Sequence, residues 1–178
     1  QAAWGRLMAV ANTTVFSESS RAIFSAVYPQ AAARIRVEGH ELLAEIPRIS
    51  ASRAADGRPV IGVLGNIGQQ KGAAVVQQLS RDLARDPRAG LVVIGHLDPA
   101  FRLAPPARVH GSYELRDLPG LVVRYGISAW LIPSVWPETF SFTTHEALAT
   151  GLPVFCFDLG AQGDAVRSAI EHGATGAV

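Results

Sequence analysis

The chain has one cysteine, Cys156, in 178 residues. An internal disulfide needs two cysteines and a multi-cysteine metal site needs more, so both are excluded; thiol use this sparse fits a reducing cytoplasm. Long apolar runs are missing as well. The longest, such as Val60 to Leu64 and Leu91 to Ile94, fall far short of the roughly 20 residues that cross a bilayer as a helix. No transmembrane segment is expected. Gln1 to Val10 lacks the basic start, apolar stretch and small-residue cleavage site of a secretory signal. Neither sign of charge prevails: 16 Lys and Arg against 15 Asp and Glu leave +1, with no like-charge run and no basic stripe. Nucleic-acid binding draws on clustered cations that neutralise phosphates, so it is not expected. Lysine is nearly absent. Lys71 stands alone in a chain whose other basic residues are all arginine.

What is present points to a packed core. Hydrophobic residues make up 48% and charged residues 17%, too apolar for a disordered chain. At roughly 150 residues per domain, the length suggests one full domain or one with an appendage. The first fifty residues differ from the rest. Asn12 to Phe16 reads as the end of a strand, Ser17 as the N-cap of a helix over Glu18–Tyr28 that Pro29 ends, and Arg34 to Glu38 as extended chain. Ala51 to Pro59 is small, polar and turn-prone, the best linker candidate.

From Pro59 onward, apolar runs alternate with helical patterns. Strands are expected at Val60–Leu64, Leu91–Ile94, Arg108–His110, Ala129–Ile132, Val154–Phe157 and Gly176–Val178. Helices are expected over about 72–86, where Val75, Val76, Leu79 and Leu83 form a stripe, and over about 142–150 and 162–171. A further one carries Leu115, Leu118, Val122 and Tyr125, weakened by Pro119 and Gly120. Strands apolar throughout are buried on both faces, and their alternation with helices implies an α/β, doubly wound parallel sheet of the Rossmann-like kind. Such sheets bind ligands at the carboxyl ends of their strands.

Two constellations fall at those ends. Gly65 to Gly72 leads from the first strand of the series straight into a helix and carries Lys71. It reads either as a phosphate or pyrophosphate cradle or as a tight turn with an exposed lysine. It is neither a P-loop, since Gly72 follows Lys71 where a hydroxyl is needed, nor a dinucleotide fingerprint, since Gly62, Gly65 and Gly68 have the wrong spacing. The second constellation runs from Trp136 to Ala149, with Glu138 in a loop and Glu146 in the following helix. Helical side chains lean toward the N-terminus, so both carboxylates could meet above the helix start and accept hydrogen bonds from a polyol. Equally, Thr143-x-x-Glu146 fits a capping box that needs no ligand. No D-x-D pair and no His or acid cluster has metal-ligand spacing. Cys156 reads as a core residue, and His110 and His145 as non-catalytic.

These residues together resemble the C-terminal domain of group 1 (family 4) glycosyltransferases with the GT-B fold. The resemblance rests on Gly65–Gly72, on Glu138-Thr139-Phe140-Ser141, on Glu146-Ala147-Leu148-Ala149-Thr150-Gly151-Leu152-Pro153-Val154, and on Asp158-Leu159-Gly160-Ala161. It covers about residues 59–178. Val15 to Glu18 through Arg36 to His40 is more loosely similar to the end of the preceding domain and the crossover. The resemblance implies a division into a remnant of the N-terminal domain over residues 1–53 and a donor-binding domain over 54–178.

It also implies a nucleotide diphosphate sugar as donor substrate, with no further cofactor, and retaining transfer without a bound metal. Lys71 would bind the pyrophosphate, supported by Gly68. Glu138 would bind the donor sugar and Glu146 the ribose, with Phe140 and Ser141 facing sugar and phosphate and Gly111, Ser112 and Tyr113 near the base. Asn66 stands where many members have arginine, leaving one cation on the pyrophosphate. The acceptor site and assisting histidine of the family belong to the missing N-terminal domain. The expectation is therefore a cytoplasmic fragment that binds donor without turnover, and whose full-length enzyme builds bacterial surface polysaccharide, with peripheral membrane association open to it. The alternatives are a non-catalytic nucleotide-sugar-binding module, a sugar-nucleotide epimerase of related architecture and, last, an NAD-binding dehydrogenase.

Overall fold

The computed structural model describes residues 2–42, 45–51 and 53–178. It opens with helix α1 (Ala2–Met8), strand β1 (Thr13–Val15), helix α2 (Glu18–Val27), a 3₁₀ turn (Pro29–Arg34) and strand β2 (Ile35–Val37). Ser17 caps α2 as expected: its backbone is extended, and its hydroxyl accepts from the Ser20 N–H at 3.2 Å. β1 and β2 pair in parallel, and Met8, Val15, Ala31 and Ile35 form a small core of their own. α1 carried no sequence signal; Trp4 and Leu7 are exposed, and Met8 packs inward.

The remainder is a six-stranded, all-parallel sheet. Its strands are β3 (Val60–Ile67), β4 (Gly90–Leu97), β5 (Arg108–Val109), β6 (Ile127–Ile132), β7 (Val154–Cys156) and β8 (Gly176–Ala177), in the order β5-β4-β3-β6-β7-β8. Between them lie α3 (Ala73–Arg85), α4 (Leu118–Tyr125), α5 (Phe142–Ala149) and α6 (Gly160–Glu171). Alternate residues of β3 serve opposite faces, as pleating requires. Val63 and Ile67 pack with α3 through Ala73 and Val76. Val60 and Leu64 join the larger core with Leu118 and Val122 on α4, Ala147 on α5 and Val166 on α6.

The expected doubly wound parallel sheet is present, with shifted element ends. β3 and β4 each run three residues past the apolar stretch, through Ile67 and Leu97, because they stay paired in register up to Ile67↔Leu97 whatever the side chains. β5 stops at Val109 and β7 at Cys156, short of His110 and Phe157. Pro119 does not break the fourth helix. A 3₁₀ turn (Leu115–Asp117) precedes α4, and Pro119 sits in its first turn, where no intrahelical N–H is needed.

Several contacts join the N-terminal segment to the sheet. The Asp164 carboxylate on α6 accepts from the Ser19 N–H at 2.7 Å and the Ser19 hydroxyl at 2.9 Å, at the start of α2. The crossover lies along the larger core, with Ile46 and Ile49 packed against it and the Ile49 N–H bonded to the Thr150 carbonyl at 2.7 Å.

Candidate functional site

The strand order reverses beside β3. From it the chain winds outward to β4 and β5, then returns to β6 on the other side and proceeds to β7 and β8. Helices leaving β3 and β6 pass to opposite faces, which opens a crevice at the carboxyl ends of these two strands. Lys71 follows β3 and Glu138 follows β6, so the topology brings together two residues 67 positions apart.

The loops are fastened to one another by backbone. The Gln70 carbonyl accepts from the Val135 N–H at 3.0 Å and the Ser134 hydroxyl at 3.3 Å. Gly72, the N-cap of α3, has φ +82, and a Cβ there would overlap the Pro133 carbonyl. Glycine is needed at this point for both reasons. Gly68 has nothing within 4 Å of a notional Cβ, so its backbone is open to close approach.

The Lys71 ammonium lies 3.4 Å from Glu138 Oε2, with the lysine side chain 43% exposed and the glutamate 13%. Such a half-exposed pair adds at most about 1 kcal/mol, so it stores the cation beside the crevice without locking it away. Gln162, fully buried on α6, sets the glutamate loop: its amide nitrogen donates to the Trp136 carbonyl at 2.8 Å, and its oxygen accepts from the Glu138 N–H at 3.2 Å. The Glu138 carbonyl in turn accepts from the Ala161 N–H at 2.8 Å.

Glu146 is buried on α5 and accepts from the Tyr113 hydroxyl at 3.3 Å. Burial pushes its carboxyl pKa up, while the Tyr113 hydrogen bond and the Lys71 charge pull it down. Burial, with the Glu146 charge second, raises the Tyr113 phenol. The capping box of Thr143 and Glu146 is not formed. Ser141 is the N-cap of α5, which puts Thr143 inside the helix and leaves Glu146 free to face Tyr113. The Ser141 hydroxyl is buried and accepts from Thr144 at 2.8 Å.

The other expected residues gather nearby. The Gly111 N–H bonds to the Gly95 carbonyl at 3.0 Å, which joins the loop after β5 to the end of β4, and the Ser112 hydroxyl meets His96 Nε2 at 2.9 Å. Phe140 stacks on His145 at 4.4 Å and meets His40, from the crossover, edge-on at 4.9 Å. His145 Nδ1 donates to the Ser141 carbonyl at 2.9 Å. His110 pairs with the Tyr125 hydroxyl at 2.9 Å, beyond the end of β5. Burial raises the Cys156 thiol to about 11, as suits a core residue.

Gln162 and His96 fall near the carboxyl ends of strands, but nothing in the sequence singles them out, and the same holds for His40. Gln162 occupies an ordinary helical position, and no period distinguishes a buried amide from an exposed one. His96 and His40 are recognisable only through Ser112 and Phe140, which are distant in sequence. Asn66 is exposed at the end of β3. Among the described residues, no helix is long and apolar enough to cross a membrane, and no group of three or more His, Cys, Asp or Glu is placed to hold a metal ion.

No protein-family model and no curated protein matches the chain. Solved structures do. The lipopolysaccharide outer core galactosyltransferase WaaB, in its apo form, matches at 18% identity with a TM-score of 0.64, over 93% of this chain and 55% of that one. A glycosyltransferase from Rickettsia africae matches at 13% identity and 0.63, over 97% and 56%. HepE of Anabaena, solved with UDP-glucose, matches at 17% identity and 0.59, over 85% and 46%. At these identities the likeness is one of fold: the chain has the fold of the GT-B glycosyltransferases and spans about half the length of these structures.

Proposed function

We propose that this domain binds the donor of a retaining glycosyltransferase that moves a sugar from a nucleotide diphosphate sugar. The observation that carries the reading is one cation paired with Glu138 and within charge range of Glu146 at the reversal of strand order. Lys71 lies 3.4 Å from Glu138 and close enough to Glu146 to lower its pKa. In this reading, the Lys71 ammonium leaves Glu138 for the pyrophosphate when donor enters. The open backbone at Gly68 and the first amides of α3 complete the anion site, and no metal is required of the residues present.

Freed of Lys71, Glu138 accepts hydrogen bonds from sugar hydroxyls. Glu146 is held by Tyr113 and accepts from the ribose, while Phe140 covers the sugar and the Gly111–Tyr113 turn borders the base. HepE, solved with UDP-glucose, offers a precedent for such a ligand on this fold. The acceptor and the residues that assist transfer belong to a second domain in the complete enzyme. A cytoplasmic enzyme of bacterial surface polysaccharide synthesis, peripherally associated with the membrane, is the setting we propose.

The test is a thermal-shift titration with UDP, GDP, dTDP and their sugars. At 100 times Kd, binding adds about 2.7 kcal/mol, which is about 5–10 °C for a chain of this size. One nucleotide should produce the shift, and Lys71→Ala should abolish it. If the complete protein shows no shift with any of them and transfers no sugar, the reading is wrong.

A further inference from the structure

A second concavity lies at the opposite end of the sheet, and the donor reading makes no use of it. The turn before β3, the first residues of β3 and β4, and the end of α4 enclose a cavity of about 620 Å³, within the usual range of small-molecule sites. Both strands are eight residues long, so a strand length of about 25 Å separates it from the Lys71 loop.

Its lining is rich in charge of one sign. Arg53, Arg58, Arg108 and Arg124 face a single carboxylate, Asp56. Asp56 is already occupied: Arg58 Nε donates to it at 2.7 Å, and Arg58 Nη1 donates to the Pro87 carbonyl at 3.0 Å. Arg53 gives one donor to the Gly57 carbonyl at 3.1 Å and keeps the rest. Arg124 lies over the Tyr125 ring at 5.4 Å. Among the described residues, no carboxylate pairs with Arg53, Arg108 or Arg124. The acids on adjoining elements are engaged elsewhere: Asp82 with Arg85, Asp86 with Arg88, and Asp117 with the Glu114 N–H.

Three guanidiniums without counter-charge repel one another around a shared space, and an anion of more than one charge relieves that repulsion. Guanidinium forks match phosphate oxygens two at a time. Most of the remaining wall is apolar and includes Leu83, Leu91, Val92 and Val123. A ligand that uses both parts has a doubly charged head and an apolar body.

We infer that this cavity binds a small organic phosphate, its monoester head against Arg53, Arg108 and Arg124 and its carbon body against Leu83 and Val123. The inference does not rest on the donor reading, because it involves none of the same residues.

Calorimetric titration with hexyl phosphate tests it, with inorganic phosphate and hexanol as the separate halves of the probe. Hexyl phosphate should bind at least about tenfold more tightly than either half. The double variant R108Q/R124Q should weaken it by about tenfold or more, the loss expected when charge-assisted hydrogen bonds are removed, while K71A leaves it unchanged. Both arginines are exposed, and unfolding temperatures of the variants check that they fold. Val123→Asp, at a side chain 66% exposed, puts a carboxylate at the mouth of the cavity and should also abolish binding. The inference is overturned if hexyl phosphate does not bind, if inorganic phosphate binds equally well, or if K71A rather than R108Q/R124Q removes binding. It is also overturned if the protein binds phosphatidic acid vesicles but not hexyl phosphate.

Discussion

Gly72→Ala tests the geometry that joins the two halves of the crevice. Gly72 has φ +82, and a Cβ there would lie 2.7 Å from the Pro133 carbonyl carbon and overlap its oxygen. Left-handed backbone costs an L residue about 1–2 kcal/mol. The overlap involves backbone on both sides, so neither partner can rotate away; overpacking of this kind adds about 1–3 kcal/mol. The sum, about 2–5 kcal/mol, lowers Tm by about 4–20 °C for a chain of this length.

Gly173→Ala is the matched control. Gly173 has φ +91, with nothing within 4 Å of a Cβ, so only the backbone cost of about 1–2 kcal/mol applies. The entropy that alanine removes from the unfolded chain is common to both variants and cancels. Urea unfolding of the pair therefore isolates the contact between the Lys71 loop and Pro133. Equal losses in the two variants, within about 0.5 kcal/mol in the range where distant sites add, would show that the loops do not meet as described.

Three further outcomes are expected. Glu146 has a folded-state pKa raised chiefly by burial, so its protonated form is the better-tolerated one, and the stability this contributes is present at acid pH and lost as pH rises through its folded pKa. Glu146→Gln should match the parent in acid and become relatively more stable above that pKa; a stability difference independent of pH refutes the assignment. Gln162→Leu removes two bonds to the Glu138 loop and leaves the Glu138 N–H unpaired, while the Trp136 carbonyl keeps the Ser134 hydroxyl. At about 1 ± 0.5 kcal/mol per hydrogen bond plus about 1–3 kcal/mol for the stranded N–H, it should cost about 2–6 kcal/mol; a neutral result in urea unfolding counts against the clamp. Asp164→Ala severs both Ser19 bonds and should expose α2 to proteolysis at a protease concentration that leaves the parent intact; equal cleavage would mean the segment is held by other contacts.

The strand–helix alternation and the parallel sheet were legible in the chain because strands buried on both faces must be apolar throughout, and helices packed on one side must carry a stripe. Boundaries were less so. β3 continues through Asn66, an exposed polar residue, because β4 beside it still offers paired backbone. The fourth helix survives Pro119 because its start falls one residue earlier, at Leu118.

The candidate site divides in the same way. Lys71, Glu138 and Glu146 could be named from the sequence because loops at the carboxyl ends of strands are where such a sheet receives ligands. Whether Glu146 capped its own helix or faced a crevice was undecidable there, since Thr143-x-x-Glu146 satisfies the capping pattern. The tertiary structure decided it by starting α5 at Phe142 and placing Tyr113 against the carboxylate. Local sequence sets which elements form, through periodicity and turn chemistry acting over a few residues. The partner of each charge is chosen by strand order, which brings Lys71 to Glu138 across 67 positions, and no local pattern encodes a distance of that kind.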